Sequence, residues 1–342
     1  MADTVPTRFW RSAAVKLIAL GVFGIVLLAC LIARLSSPAS LVPLPIPGRG
    51  LIGHVWLDDQ TLLCFQAAQP RRVEALRVSL KSGNSAIVPG IGEALRGAGL
   101  TTGVIGPDVS RDAKWLLFGG PVGTNWHLLA VGTDGTAAQS SYLVKGSFGF
   151  CWLGETQRWL SLEQTRNGME AAVHGIDSTQ QWKFPTTLSP GVNPVGTTAS
   201  GKILCAWQDR ATNSMLALAE VNPTNLAVVG TPRRLKLPAP LEVNCATVQI
   251  SRGGELLAGT ATSVNRVIGP AMALFGLAPR VSTIIWISRT DGSRYREVGF
   301  VPSNAEVLDL HFTPDGQALT FLRRNETNGV TLWKVPLSRA PH

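Results

Sequence analysis

An all-β fold of six repeated, four-stranded antiparallel sheets is what this sequence predicts, and two observations carry the prediction. The first is a ten-residue window that recurs six times without a gap: WLDDQTLLCF from Trp56, VSRDAKWLLF from Val109, WLGETQRWLS from Trp152, TTASGKILCA from Thr197, ISRGGELLAG from Ile250 and FTPDGQALTF from Phe312. Its fourth column (Asp59, Asp112, Glu155, Ser200, Gly253, Asp315) consists of turn formers apart from Glu155, and its eighth (Leu63, Leu116, Trp159, Leu204, Leu257, Leu319) is large and apolar throughout. Two short strands joined by a tight polar turn follow from that pattern. The second observation is what comes after each window, a third apolar stretch (EALRVSL, WHLLAVG, EAAVHGI, SMLALAEV, STIIWIS, GVTLWKV) and in most units a second polar turn and a fourth strand such as NLAVVGT after Asn225. Four antiparallel strands per repeat at a period of about forty to sixty residues describe the blades of a β-propeller. Helical spacing of the apolar residues, which a solenoid of helix pairs would need, is absent.

Taken in order, residues 1–12 form a short polar N-terminus, and residues 13–34 then read as one transmembrane helix. Leu17 to Ala33 runs LIALGVFGIVLLACLIA without a charge, and with Lys16 snorkelling the segment reaches the roughly 20 residues that about 30 Å of hydrocarbon requires. Arg8, Arg11 and Lys16 precede it and only Arg34 follows closely. That bias keeps the N-terminus in the cytoplasm and sends the rest of the chain outward, to the periplasm or cell surface. A retained signal anchor competes with two other readings, a lipoprotein signal at Leu27-Leu28-Ala29-Cys30 and a cleaved signal ending near Ser37 to Ala39. Residues 35–50 are a Pro-rich linker, in which Pro43, Pro45 and Pro47 alternate with apolar residues. That pattern suits an extended spacer and excludes a central strand. Residues 51–342 are the propeller. The sixth unit stops after its third strand, so a stretch within Leu41 to Pro47 is expected to close the ring as its missing outer strand. Gly90 to Gly106 reads as a glycine-rich connection or rim loop.

Composition narrows the function. The net charge is +9, of which residues 1–50 supply +4 (five basic residues against Asp3). The remainder is dispersed in pairs such as Arg71-Arg72, without the basic, aromatic-interleaved stripe of a nucleic-acid binder, so no nucleic-acid partner is expected. Five cysteines at wide, irregular spacing argue against a disulfide framework or a structural zinc site and read as buried thiols. No GxSxG, HExxH, Walker or strand-to-helix GxGxxG sequence is present, so no catalytic residue and no cofactor is expected.

The sixth unit, FTPDGQALTF followed by a third strand, resembles the repeat of TolB-type, WD-repeat-like six-bladed propellers, here in a membrane-anchored bacterial form. The TDG turns at Asp134-Gly135 and Asp291-Gly292 add to the resemblance, while the third and fourth units lack Asp-Gly at the first turn.

Sites are expected where the repeats differ. On the innermost strands, the column before each window holds Val55, Asp108, Cys151, Gly196, Gln249 and His311, with Asp309 two residues ahead of His311. Asp108, Cys151, Gln249, Asp309 and His311 are the ligand-binding candidates at the central channel, and their mixed types do not make a metal set. His54, His127 and His174 read as surface or interblade histidines. The fifth unit is long, with 38 positions from Gly253 to Asp291 against 22 from Asp112 to Asp134. The excess contains VIGPAMALFGLAP, whose Met272, Leu274, Phe275 and Leu277 would make an apolar contact loop for a partner or the membrane surface unless it folds back on its own blade. The reading that results is a membrane-tethered, non-enzymatic scaffold for a protein or glycan. The alternative is a lactonase-like propeller hydrolase with a metal or small-molecule site in the channel.

Overall fold

The computed structural model describes residues 41–46, 50–68, 72–101, 104–136, 140–144, 148–154, 157–165, 168–176, 182–186, 191–208, 215–238, 241–264, 281–325 and 329–337. The expected transmembrane segment, 13–34, and the apolar loop with Met272, Leu274, Phe275 and Leu277 lie outside the described residues. Among the described residues no helix is long and apolar enough to cross a membrane.

Six four-stranded antiparallel sheets are present. The first blade is β2 (Leu51–Asp58), β3 (Thr61–Ala68), β4 (Arg72–Ser79) and β5 (Ser85–Ile87), and the second is β6 (Ile105–Val109), β7 (Trp115–Val122), β8 (Asn125–Gly132) and β9 (Ser140–Val144). The third comprises β10 (Phe148–Trp152), β11 (Arg158–Thr165), β12 (Gly168–Gly175) and β13 (Trp182–Thr186), and the fourth β14 (Asn193–Thr197), β15 (Ile203–Gln208), β16 (Met215–Val221) and β17 (Val228–Lys236). The fifth runs β18 (Leu241–Ile250), β19 (Leu256–Val264), β20 (Val281–Arg289) and β21 (Arg296–Val301). The sixth takes β22 (Ala305–Phe312), β23 (Ala318–Asn325) and β24 (Gly329–Pro336) from the end of the chain, and its outer strand is β1 (Val42–Leu44) from the start, with Pro43 opposite Trp333. The first strands of successive blades touch one another all the way round, β22 meeting β2, which makes them the innermost strands of a closed ring.

The repeated window explains why the chain folds this way. All six residues of its eighth column are at most 1% exposed. The apolar clusters lie between neighbouring blades, so the core is divided among the interfaces around the ring. Each such leucine removed from water contributes about 2 kcal/mol to holding two blades together. The turn aspartates act locally: Asp315 accepts the Gln317 N–H at 2.9 Å and Asp112 the Lys114 N–H at 3.1 Å. A buried hydroxyl two residues earlier completes the device. Thr313 Oγ1 accepts the Ala318 N–H at 2.9 Å and donates to Asp315 at 2.6 Å, and Ser110 repeats both contacts in the second blade.

One expectation is corrected. The stretch read as a flexible glycine-rich loop begins with a helix, α1 (Pro89–Gly97), whose Ile91 and Leu95 are buried against β4 and β8. Its glycines serve close packing: a Cβ on Gly90 would stand 2.1 Å from the Gly135 carbonyl oxygen, and one on Gly92 2.7 Å from that of Val73. The ring closure expected from Leu41 to Pro47 is observed in β1.

Candidate functional site

The innermost strands do not alternate regularly. Five of the six, β10 being the exception, carry a register shift against their neighbour, among them Ile105/Asp108 in β6 and Val307/Leu310 in β22. Such bulges re-aim side chains. In β22 the extra residue lies in the stretch that carries Asp309, which meets its near neighbour His311 as well as the first blade.

Asp309 organises a buried polar chain across the seam between the sixth and first blades. His54, fully buried on β2, gives Asp309 Oδ2 two contacts, from its backbone N–H at 2.8 Å and its ring Nδ1 at 2.7 Å. His311 Nε2 meets Oδ1 at 2.8 Å, and the two imidazoles stand edge to face with centroids 4.9 Å apart. Burial alone would raise the Asp309 pKa, yet His311 and His54 together hold it well below the usual carboxylate range. The ionised carboxylate only accepts, so both ring nitrogens that face it carry protons.

Burial depresses His54 below its ordinary value, against the pull of Asp309. His54 is therefore neutral at pH 7 with its proton on Nδ1, and Nε2 accepts from Thr320 Oγ1 at 2.8 Å. The Thr320 oxygen in turn accepts the Trp56 Nε1–H at 2.8 Å. Donation thus runs one way, from Trp56 through Thr320 and His54 to Asp309. His311 differs: burial pulls its pKa down, but Asp309 and Asp108 outweigh burial and raise it, which favours the imidazolium.

The chain borders a cavity of about 110 Å³ on the propeller axis, to which each blade contributes in turn Trp56, Asp108, Trp152, Gly196, Gln249 and His311. Asp108 clamps the second blade to the third: its Oδ2 accepts the Trp152 backbone N–H at 3.1 Å, and its carbonyl accepts the Trp152 indole N–H at 3.2 Å. Burial pushes its pKa up to about 6. Arg252 of the fifth blade crosses the mouth and donates to the carbonyl oxygens of Trp56 at 3.2 Å and Leu57 at 3.5 Å in the first. Burial lowers the pKa of that guanidinium. Arg111 adds a second cation to the rim.

Of the residues singled out from the sequence, Asp108, Gln249 and His311 meet at this cavity, and Asp309 stands behind His311 as its anchor. Cys151 is 1% exposed and belongs to the apolar cluster between the third and fourth blades, where burial holds its thiol well above the ordinary value. Trp56, Trp152 and Arg252 complete the cavity, and His54 and Thr320 complete the chain behind it. His54 has no sequence signal near it, because Asp309 is 255 positions away.

His54, Asp309 and His311 also form a three-residue group of the type that holds metal ions, with ligand atoms spread over up to 4.8 Å. Opposite ligands of one ion at about 2.1 Å bonds span only about 4.2 Å. The contacts at 2.7 and 2.8 Å have protons in them, and as placed the group is a hydrogen-bonded chain.

No protein-family model and no curated protein matches the chain. Solved structures do. TolB from Acinetobacter baumannii superposes with a TM-score of 0.50 at 12% identity over 86% of this chain and 66% of that one. The chain has the six-bladed fold of TolB. A putative TolB from Agrobacterium tumefaciens gives 0.50 at 11% identity over 86% and 91% of the two chains, and Kuenenia stuttgartiensis hydrazine synthase gives 0.51 at 11% over 86% and 88%. At such identities the likeness to TolB is one of architecture.

Proposed function

We propose that this chain is a membrane-tethered propeller, with its N-terminus inside and its blades outside the cytoplasmic membrane, that binds a protein or glycan partner without transforming it. The observation that carries this reading is the axial cavity. At about 110 Å³ it is well below the roughly 300–1,000 Å³ of a small-molecule site, and it suits one inserted side chain or sugar substituent. Its walls combine indole surface with the donors and acceptors of Arg252, Gln249, His311 and Asp108, a mixture suited to recognition. The thiols of Cys64, Cys151 and Cys205 are buried with raised pKa values, which argues against thiolate chemistry.

Full-length protein in detergent, used as bait for membrane and periplasmic extracts, tests the reading beside Gln249→Trp, in which an indole fills the cavity. A partner held by the wild type and lost by the variant supports it, and identical partners for both reject it. The presence of Arg8 and Arg11 in the mature chain, together with resistance to alkaline extraction, tests the retained anchor. The hydrolase reading draws on the His54–Asp309–His311 group; stoichiometric zinc or calcium after dialysis, lost in His311→Ala, would put it first.

A further inference from the structure

With the axial cavity as the binding site, a reading on which this inference rests, we propose that Arg252 is a movable partition. In place it keeps the axial cavity small, and its release joins that cavity to a larger one and admits a bulkier part of the partner.

The larger cavity, of about 670 Å³, lies where the turns β14–β15, β18–β19, β20–β21 and β22–β23 converge, between the fourth, fifth and sixth blades. Its wall and that of the axial cavity, of about 110 Å³, share Ser251, Arg252 and Pro314, so these residues stand between the two spaces. Ser251 is buried, and its hydroxyl accepts the Leu256 N–H at 3.1 Å within its own turn. Pro314 is a ring closed on the backbone. Of the three, Arg252 alone has a long side chain with several rotatable bonds.

The Arg252 guanidinium reaches from the fifth blade to the first, where it donates to the carbonyls of Trp56 at 3.2 Å and Leu57 at 3.5 Å. A register shift between Trp56 and Asp58 leaves Leu57 out of the β2–β3 pairing, which frees its carbonyl for this contact. Both bonds are longer than the roughly 2.9 Å of an ordinary N–H···O bond, and both acceptors are neutral. Among the described residues no carboxylate forms an ion pair with Arg252. Burial strips part of its hydration and lowers its pKa, while Asp59, Asp58 and Asp112 attract it only from a distance. A side chain held in this way regains water and rotamer freedom when it swings out. The axial cavity then becomes continuous with a space in the size range of small-molecule sites.

A thiol introduced by Gln249→Cys reports on the partition, because Gln249 lines the axial cavity and not the larger one. Full-length protein in detergent is treated with methyl methanethiosulfonate, whose methylthio label fits the small cavity, or with a biotinylated methanethiosulfonate, whose label does not. Peptide mapping by mass spectrometry follows the introduced thiol separately from the half-buried Cys245. Adding Arg252→Ala should speed biotin labelling by about tenfold or more and methylthio labelling by less than about threefold, the pattern of a site closed most of the time by one side chain. The melting temperature should not change. Equal biotin rates with and without Arg252→Ala overturn the proposal. So does an equal gain for both labels, which would be general loosening, or a lowered melting temperature, which would make Arg252 a strut of the ring. Labelling needs no partner, so its failure strikes the partition alone and leaves the axial reading to the pull-down with Gln249→Trp.

Discussion

Replacing Asp108 by asparagine should stabilise the protein above pH 6, although Asp108 is half-buried and hydrogen-bonded. Burial lifts its pKa from 3.8 to about 6, and the bond from the Trp152 N–H and the charge of His311 only partly offset that rise. A carboxyl with a higher pKa in the folded state binds its proton more tightly there. Its favourable contribution is complete below the unfolded value near 3.8 and is lost as the pH rises through about 6. At neutral pH the folded protein holds a reluctant carboxylate, and a rise of about two units at about 1.4 kcal/mol each amounts to about 3 kcal/mol. Asparagine has no proton to lose, and its side-chain oxygen can still accept from Trp152. Urea unfolding of wild type and Asp108→Asn across about pH 4 to 8 should give curves that nearly coincide at the acid end and diverge by up to about 3 kcal/mol at the alkaline end. A variant less stable at pH 8, or a difference independent of pH, would refute the reasoning. A stability gain there would mark Asp108 as kept for something other than folding, in line with its place on the cavity wall.

Thr320→Val should cost about 2–4 kcal/mol in urea unfolding, because Trp56 Nε1 and His54 Nε2 both lose their partner in a buried setting, whereas Thr320→Ser should cost less than half of that. Gly90→Ala should destabilise by about 1–3 kcal/mol and raise hydrogen exchange in α1, since its methyl group collides with the Gly135 carbonyl; unchanged exchange would contradict the close-approach account. Ala113 sits in the β6–β7 turn at φ 57°, where the equivalent residues Gly254 and Gly316 are glycines at +74° and +67°. Ala113→Gly should therefore raise stability by about 0.5–1 kcal/mol in thermal or urea melts.

The fold was legible because it rests on residues near in sequence. Asp315 turns its own hairpin, and Leu319 fills the nearest interface, so six windows spell out six blades. The cavity was legible only in part. Asp108, Gln249 and His311 occupy one column and do meet, but in the first and third blades the wall is made by Trp56 and Trp152, one residue on from Val55 and Cys151. In the first blade a bulge beside Trp56 shifts the register, and nothing in a two-residue alternation announces it; β10 of the third blade carries no such shift. His54 is an interblade histidine, one of the two positions expected for it, but its tie to Asp309 has no sequence signal because that partner comes close only when the ring closes. The first residues of α1 looked flexible because glycine has two uses, conformational freedom and thinness, and composition does not tell them apart.

The three residues of β1 give the ring a load path. Any tension applied to the chain ahead of Leu41, such as a tether would transmit, enters the propeller at the clasp between β1 and β24 before it reaches another blade. Three residue pairs bear that force. Once they part, the sixth blade is left with three strands and the seam that houses Asp309 and His54 is the next to be strained. In this architecture the first point to yield under a pull is also the lock of the circle, so a partner that tugs on the N-terminal segment would act directly on the seam beside the axial cavity.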